Sequence, residues 1–298
     1  MELRMHPRTE GPQRCLTFTI SVDPRSRTYD YRDYLGNSVH HFNVPGKHTQ
    51  LRVVAESLVE VLAPPPVPES LGAEGWDELD AMVASGDYWE MIMPSQFAKP
   101  SPALDLMIKE FGVERRADPL TMVRLIKDRM FNWFEYVPKA TRVDSPIDHA
   151  IEARKGVCQD FTHVMTALLR HLRIPCRYVS GYLYHEPKTQ DRSSDGATHA
   201  WVEVLLPGLG WVGVDPTNNL FVGERHVRTA IGRDYADVPP TKGVFKGDAD
   251  SELTVSVQVQ PSDAPPAPDN EMTITQDWAA IAASDAEDAS QEQQQQQQ

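Results

Sequence analysis

Apolar and polar positions alternate along much of the first 62 residues, which is the pattern of β-strands that bury one face. Cys15–Val22 alternates imperfectly, and from Leu51 to Val61 most apolar residues share one parity while the charged residues occupy the other. Between these segments lies Asp33-Tyr34-Leu35-Gly36-Asn37, whose Gly and Asn suit the positive φ angles of a tight turn. The pattern predicts a small β domain over residues 1–62 with a hairpin at this turn.

Prolines interrupt the alternation at Ala63–Pro68, a segment that can join neither a sheet nor a helix. Residues 63–100 are therefore predicted to be a linker and helical connection. Beyond them the apolar residues take helical spacing. Asp118-Pro119 has the residue types of an N-cap and a first helical position, and Leu120–Phe134 continues the helix. A second helix is predicted to start near Cys158 and to stop before the next proline.

Strand patterns return in the second half of the chain. Three strands are predicted at Cys176–Tyr184, Thr198–Leu206 and Trp211–Val214, the last two joined by a hairpin loop. A final half-exposed strand is predicted at Leu253–Val259, where valines alternate with polar residues. Residues 101–260 are therefore predicted to form a second domain of helices and strands.

The composition changes after residue 260. Residues 261–298 are rich in Pro, Ala, Asp and Gln and end in glutamines, which predicts a disordered acidic tail with a weak amphipathic helix at Met272–Ile281. The tail has eight acidic residues and no Lys or Arg, which leaves −6 of the formal charge of −14 on the first 260 residues. A mildly acidic body without a basic stripe argues against nucleic acid and anionic membranes as partners.

The location of the protein is predicted from what the sequence lacks. The N-terminus has no apolar segment of the secretory type, and apolar stretches such as Val164–Leu169 are too short to span a bilayer. Three cysteines at irregular spacing form no disulfide framework. These features predict a cytoplasmic protein, in which a thiol can be kept for its chemistry. They leave the oligomeric state open.

Three residues are suited to covalent catalysis. Cys158 begins a helix, where unpaired backbone N–H groups and the helix dipole stabilise a thiolate and can hydrogen-bond an oxyanion. His199 opens an apolar strand, and Asp215 ends the next one. If the two strands form a hairpin, one imidazole nitrogen can face the carboxylate and the other the thiol. The pattern predicts Cys158 as nucleophile, His199 as base and Asp215 as the residue that orients the histidine.

The same segments resemble those of bacterial transglutaminase-like proteins, a branch of the papain-like cysteine protease and transglutaminase superfamily. The resemblance lies in Arg154–His163, Ile174–Tyr182, His199–Val204 and Gly210–Thr217. In addition, the turn region at residues 31–37 is similar to the β-sandwich that precedes the catalytic domain in those proteins. The resemblance covers about residues 3–260, and the three catalytic blocks in this order are highly specific.

The resemblance implies an α+β fold, in which an N-terminal β-sandwich is followed by a papain-like transglutaminase-like catalytic domain. The boundaries expected are residues 1–62 for the sandwich, 63–100 for the connection, 101–260 for the catalytic domain and 261–298 for the tail. The family usually has a further strand before the Glu2-Leu3-Arg4 region. The resemblance therefore predicts either one edge strand fewer in this sandwich or a start misplaced in the sequence.

The activity implied is acyl transfer on peptide, isopeptide or glutamine carboxamide bonds through a thioester on Cys158. His199 protonates the leaving amine and then activates the second substrate. Water as that substrate makes the enzyme a protease or amidase, which is favoured, and an amine makes it a protein-crosslinking transglutaminase. A non-catalytic binding scaffold is the third alternative. A protein or peptide substrate is expected, with no cofactor and no metal, because no calcium-loop pattern occurs.

Several other residues invite functional interpretations that the pattern does not favour. Cys15 and Cys176 lie in strand-like segments and are predicted to be core thiols. His163 lies five residues after Cys158, points in another direction and is interpreted as a structural or rim histidine. No Cys or carboxylate pattern completes a metal site around the histidines of the N-terminal region, which are predicted to lie at the surface. These histidines are His40, His41 and His48.

The immediate surroundings of the predicted nucleophile are less well defined. Asp160 lies in the first helical turn, where the helix dipole alone explains an acid. Two residues that share strand parity with the histidine can shape the site or serve core packing and a salt bridge, namely Trp201 and Glu203. Three candidates exist for the second oxyanion donor, namely Trp133, Tyr136 and Gln159.

Overall fold

The alternating segments at the start of the chain form two antiparallel sheets. The computed structural model describes residues 1–247 and 252–262. In the first sheet β2 (Gln13–Asp23) pairs with β5 (Arg52–Val61), so both alternating segments are confirmed as strands. The second sheet has the strand order β13-β1-β4-β3. Its strands are β1 (Glu2–Leu3), β3 (Thr28–Arg32), β4 (Ser38–Phe42) and β13 (Thr241–Lys242).

The two sheets pack face to face as a sandwich. Phe18 of β2 lies against His40 of β4 with ring centroids 5.1 Å apart, and His6 packs on Phe18 at 4.4 Å. The surface position predicted for His40 is therefore wrong, since this ring is half-buried between the sheets. The predicted hairpin between β3 and β4 is confirmed. The Asp33 carboxylate accepts hydrogen bonds from backbone N–H groups of the turn, and Gly36 has a φ of +76°.

Six helices follow the sandwich in the described residues. They are α1 (Gly75–Ala84), α2 (Trp89–Ile92), α3 (Pro102–Phe111), α4 (Pro119–Trp133), α5 (Ile147–Ala153) and α6 (Cys158–His171). The predicted start of α4 is confirmed, because the Asp118 side chain accepts hydrogen bonds from the backbone N–H groups of Leu120 and Thr121 at 3.0 and 3.1 Å. This cap satisfies two N–H groups that an α-helix leaves unpaired at its N-terminus.

A five-stranded antiparallel sheet with the order β11-β10-β9-β8-β12 forms the centre of the second domain. Its strands are β8 (Cys176–Leu183), β9 (His199–Leu206), β10 (Gly210–Asp215), β11 (Leu220–Phe221) and β12 (His226–Gly232). The three strands predicted in this region are confirmed as β8, β9 and β10. Two short strands, β6 (Glu135–Tyr136) and β7 (Lys155–Gly156), form a parallel pair before α6.

The central helix α6 packs against one face of this sheet, and all its residues from 159 to 170 are buried. Val202 and Val204 of β9 share an apolar core with the helix. On the opposite face, Trp201 packs with Leu35 from the hairpin turn of the sandwich. Because both faces are covered, all eight residues of β9 are buried. The fold is therefore α+β, with an N-terminal β-sandwich beside a helix-covered sheet.

Hydrogen bonds from side chains join the sandwich to the edge strand β12. Gln13 donates to the carbonyl of Arg228 and accepts from its N–H, at 2.8 and 2.7 Å. Asn37 bonds the carbonyl and the N–H of Ile231 in the same way, both at 2.8 Å.

Strand β1, the edge region that the resemblance put in question, pairs with β4 on one side and with β13 on the other. A strand from residues 241–242 thus extends the N-terminal sheet. The domain boundaries given from the sequence stay a prediction.

The strand predicted at Leu253–Val259 is wrong. This segment belongs to no sheet, and within the described residues its Val257 N–H donates to the Gly196 carbonyl at 3.0 Å. Leu253 is 76% exposed and Val255 is 53% exposed. Alternation reports the conformation that side chains favour, but a strand also needs a free sheet edge to pair with. The predicted tail lies outside the described residues from position 263 onward, including the predicted helix in it.

Candidate active site

Cys158 lies at the first position of α6, and its thiol is half-buried 3.9 Å from the carbonyl oxygen of Thr198. The Asp160 carboxylate folds back and accepts the Val157 N–H at 2.8 Å, which caps the start of the helix. A side chain at Gly156 would collide with Asp160, so the glycine leaves room for this cap. Asp160 therefore has a structural role, as predicted, and the remaining N–H groups of the first turn stay available near the thiol.

His199 and Asp215 are brought together by the β9–β10 hairpin. Val202 pairs with Val214 across the hairpin, so Asp215 lies opposite Trp201 and diagonal to His199. His199 Nε2 donates a hydrogen bond to Asp215 Oδ2 at 2.7 Å. Among the described residues His199 Nδ1 has no hydrogen-bond partner, although it is buried. This second nitrogen is thus the one left for the thiol of Cys158.

The charge of Asp215 determines the protonation state of His199. Burial by itself lowers the pKa of the imidazole. The negative charge and hydrogen bond of Asp215, together with the nearby sulfur of Cys158, outweigh burial and raise the pKa of His199 to about 10. At neutral pH the imidazolium form is therefore favoured, as a thiolate–imidazolium pair requires.

The carboxylate of Asp215 is fully buried and receives hydrogen bonds on both oxygens. Oδ1 accepts from the backbone N–H groups of Thr217 and Asn218, at 2.9 and 3.1 Å. Oδ2 accepts from the Asn218 amide at 2.8 Å and from His226 Nε2 at 3.3 Å, in addition to His199. Burial opposes ionisation, but the two histidines and these donors hold the pKa of Asp215 well below its usual range.

His226 was not among the predicted site residues. It opens β12, a strand that the sequence pattern did not predict because a bulge between Arg228 and Ala230 breaks the alternation. Its side chain is 1% exposed. The sequence offers one weak signal for it, a histidine shortly after Asp215 in a segment that returns to the same sheet.

His199, Asp215 and His226 each place one possible ligand atom within 4.8 Å of the other two. Two imidazoles and a carboxylate are ligand types that zinc accepts. In this arrangement Nε2 of both histidines already hydrogen-bonds to the carboxylate, so the atoms that face one another are paired without an ion. The sequence-based expectation of a site without metal stays a prediction.

The three candidates for the second oxyanion donor differ in what they contact. Trp133 donates its indole N–H to Glu110 at 3.1 Å, and the Gln159 amide donates to the Val143 carbonyl at 3.0 Å. Tyr136 lies on β6, paired with the strand that leads into α6, and its hydroxyl donates to Ser194 Oγ and accepts the Ser194 N–H, both at 3.2 Å. Each candidate already has a hydrogen-bond partner, and the identity of the second oxyanion donor stays a prediction.

The remaining polar residues near the site serve packing. His163 Nε2 accepts the Tyr235 N–H at 3.2 Å, and burial lowers the pKa of His163 to about 3, in agreement with a structural role. Glu203 is buried between two arginines, Arg177 and Arg228, each at 2.6 Å. Trp201 packs with its ring centroid 6.0 Å from that of His199. Trp201 therefore borders the site, whereas Glu203 links neighbouring strands.

Comparison with known proteins matches both parts of the chain. A model of the transglutaminase-like superfamily matches residues 109–216, and a model of the bacterial transglutaminase-like N-terminal region matches residues 1–60. The chain is 32% identical over 263 residues to an uncharacterized protein of Mycobacterium leprae. The aligned region covers 87% of this chain and 90% of that protein. The chain belongs to the transglutaminase-like superfamily.

Two further relatives cover different shares of the chain. A protein-glutamine gamma-glutamyltransferase of Pseudomonas aeruginosa is 34% identical over 111 residues, which is 35% of this chain and 16% of that protein. The structure of a candidate cysteine protease from Cytophaga hutchinsonii superposes with a TM-score of 0.66 at 22% identity, covering 88% of this chain and 86% of that one. The second likeness shows a shared fold. Within residues 1–247 and 252–262, no helix has both the length and the hydropathy needed to cross a bilayer.

The close packing at Gly181 yields a prediction about the site. A side chain at Gly181 would collide with the Val227 carbonyl and would lie 2.6 Å from the Trp201 ring, which borders His199. Gly181→Ala should therefore lower the free energy of unfolding by about 1–3 kcal/mol, measured by urea denaturation. The control is Gly223→Ala, where the added methyl group meets no atom within 4 Å. A Gly181→Ala variant as stable as this control would contradict the packing described.

Proposed function

We propose that this protein is a thiol-dependent acyl-transfer enzyme in which Cys158 is the nucleophile, His199 the base and Asp215 the residue that orients His199. The proposed substrates are protein or peptide chains, attacked at peptide, isopeptide or glutamine carboxamide bonds. The observation that carries the proposal is the 2.7 Å hydrogen bond from His199 Nε2 to the buried carboxylate of Asp215, with Nδ1 left for the thiol. This is the arrangement of nucleophile, base and orienting group that covalent catalysis uses.

In the first half of the reaction, the Cys158 thiolate attacks the carbonyl carbon of the substrate. The carbonyl oxygen takes up negative charge and is stabilised by backbone N–H groups at the start of α6. The carbon–nitrogen bond then breaks, and the leaving nitrogen takes the proton from the His199 imidazolium. The products of this half are a free amine or ammonia and a thioester on Cys158, with His199 neutral.

In the second half, neutral His199 removes a proton from the incoming nucleophile, which attacks the thioester and releases the Cys158 thiolate. We favour water as this nucleophile, because water needs no binding site of its own to reach the thioester. The alternative is an amine, which gives crosslinking, and it is supported by the likeness of part of the chain to the Pseudomonas aeruginosa enzyme named as a glutamyltransferase. The third hypothesis is a binding scaffold without catalysis. The presence of all three residues argues against it.

The proposed location is the cytoplasm. All three cysteines are free thiols, which suits a reducing compartment where a catalytic thiol persists. The mildly acidic first 260 residues support neither a nucleic acid nor an anionic membrane as partner.

The thiols should differ in reactivity. We expect iodoacetamide near neutral pH to label Cys158 well before the other two, because the thiolate is the reactive form. Burial raises the pKa of Cys15, and raises that of the fully buried Cys176 to about 11. Peptide mass spectrometry measures the order, and Cys158→Ala identifies its peptide. Equal labelling of the three would contradict the assignment.

The acyl acceptor can be tested with p-nitrophenyl acetate, an activated ester that requires no knowledge of the natural substrate. We expect acetylation of Cys158, detected by mass spectrometry, followed by loss of the acetyl group to water at a rate that an added primary amine barely changes. An acetylated amine as main product would favour crosslinking instead. Cys158 that stays unmodified while the protein is folded would favour the scaffold.

Asp215 should act through His199. Removing its charge in Asp215→Ala should lower the pKa of His199 from about 10, so that less imidazolium is present to stabilise the thiolate near neutral pH. Alkylation of Cys158 should then slow at neutral pH, with Asp215→Asn intermediate because its amide still bonds to the imidazole. The rate constant of inactivation across pH measures this. An Asp215→Ala profile identical to wild type, while His199→Ala alters it, would remove Asp215 from the triad.

In the double variant with His199→Ala, Asp215→Ala should add little, because residues that act as one unit are not additive. A further large loss in the double variant would mean that Asp215 acts on its own.

A further inference from the structure

Oδ2 of Asp215 receives hydrogen bonds from two histidines that approach from different strands. His199 lies on β9 and donates at 2.7 Å, whereas His226 lies at the start of β12 and donates at 3.3 Å. The proposed reaction uses His199 and leaves His226 without a role. Both side chains are buried, and His226 is 1% exposed.

The absence of a side chain at Gly181 lets His226 reach the site. Gly181 on β8 lies between β9 and β12, and the Trp201 ring occupies the space above it. The rings of Trp201 and His226 pack nearly perpendicular to each other with centroids 5.2 Å apart, and the His199 ring lies 6.0 Å from each of them. The three rings pack against one another, and this packing orients the His226 side chain toward Asp215.

His226 is a neutral donor in this arrangement. Burial lowers the pKa of His226, despite the opposing effect of Asp215. A neutral imidazole that donates from Nε2 has its only proton there. Its Nδ1 is buried without a hydrogen-bond partner in the described residues.

Among the described residues, three charged or titratable groups act most strongly on these two histidines. They are Asp215 of β10, Cys158 of α6, which acts on His199, and Arg225, which precedes β12. Arg225 is paired with Asp191 at 2.6 Å, so its charge is largely balanced there. The main partner of both histidines is therefore the Asp215 carboxylate.

We propose that His226 is a positioning residue of this site: by donating Nε2–H to Oδ2 of Asp215, it holds the carboxylate in place and reduces the negative charge that acts on His199. This inference rests on the proposed function, since it concerns the same base. It makes His226 the group that adjusts how tightly His199 holds its proton.

The adjustment matters in the second half of the reaction. Once the thioester has formed, His199 must be neutral in order to accept a proton from the incoming nucleophile. A buried carboxylate beside it favours the imidazolium and opposes that step. The positive end of the His226 N–H dipole lies at the same oxygen and offsets part of this effect, so His199 is more readily deprotonated.

The direct test is an NMR titration of His199 in full-length Cys158→Ala protein. This variant has no thiolate beside His199, and in that respect it resembles the acyl-enzyme. Ring signals of labelled histidine are assigned by comparison with His199→Gln. We expect His226→Leu, which removes the donor, to raise the pKa of His199 by about one unit. The pKa rises because, without the His226 donor, more of the negative charge of Asp215 acts on His199 and stabilises its imidazolium form. His226→Gln keeps an N–H donor and should bring the pKa of His199 back toward its starting value.

The matched control is His163→Leu, which also removes a buried neutral histidine. His163 bonds to the Tyr235 backbone, so this change should leave the pKa of His199 where it was. Thermal unfolding of each variant verifies that it folds. A purely structural role for His226 would lower the unfolding temperature without moving this pKa in the folded protein.

A second measurement follows loss of the acetyl group from Cys158 across pH, with the thiol present. The pH profile of His226→Leu should move to more alkaline pH, with deacetylation at neutral pH slower by about tenfold for a shift of one unit. Failure of the parent protein to acetylate Cys158 would refute the proposed function, whereas the NMR titration would still report on His226.

Two results would overturn the inference. One is an unchanged pKa of His199 in a folded His226→Leu variant. The other is one equivalent of tightly held Zn²⁺ in the purified protein that is lost in both His226→Leu and His226→Gln, which would make His199, Asp215 and His226 a metal site. Metal analysis of the same samples distinguishes this outcome.

Discussion

The buried negative charge of Asp215 is the constraint on which the candidate site depends. A carboxylate removed from water is costly unless hydrogen bonds and an opposite charge replace its hydration. Here the tight turn after β10 provides the backbone N–H groups of Thr217 and Asn218, and the Asn218 side chain adds a third donor. The two histidines complete the set. The turn, the strand ends and both imidazoles are therefore arranged around one carboxylate.

The N-terminal sandwich contributes to this arrangement although none of its residues is a predicted catalytic group. His199, Trp201 and Glu203 alternate along one face of β9, opposite to the face that α6 covers. The sandwich buries that second face through Leu35 against Trp201 and through hydrogen bonds to β12. Removing this cover would admit water to the side of the sheet from which both histidines reach Asp215, and water would weaken the interactions among these charges.

Local patterns predicted the long strands, the two helices α4 and α6, and the three central residues. Cys158 at a helix start and His199 and Asp215 on consecutive strands can be found from spacing, because a hairpin relates its two strands over a short stretch of chain. The failed prediction at Leu253–Val259 has the opposite cause. Its alternation describes a preference for extended conformation, while pairing depends on which sheet edges other segments have left free. His40 was misplaced for the same reason, since a neighbouring sheet covers it.

The sequence by itself therefore determined the class of fold, the helix and strands that carry Cys158, His199 and Asp215, and the chemistry that these three residues can perform. Only the tertiary structure decided that His226 joins them. Its side chain reaches Asp215 across two intervening strands, over Gly181 and beside Trp201. Spacing along the chain carries information about neighbours within a helix or a hairpin. Contacts across several strands depend on sheet order, on a bulge and on the room left by one glycine, and these are properties of the assembled sheet.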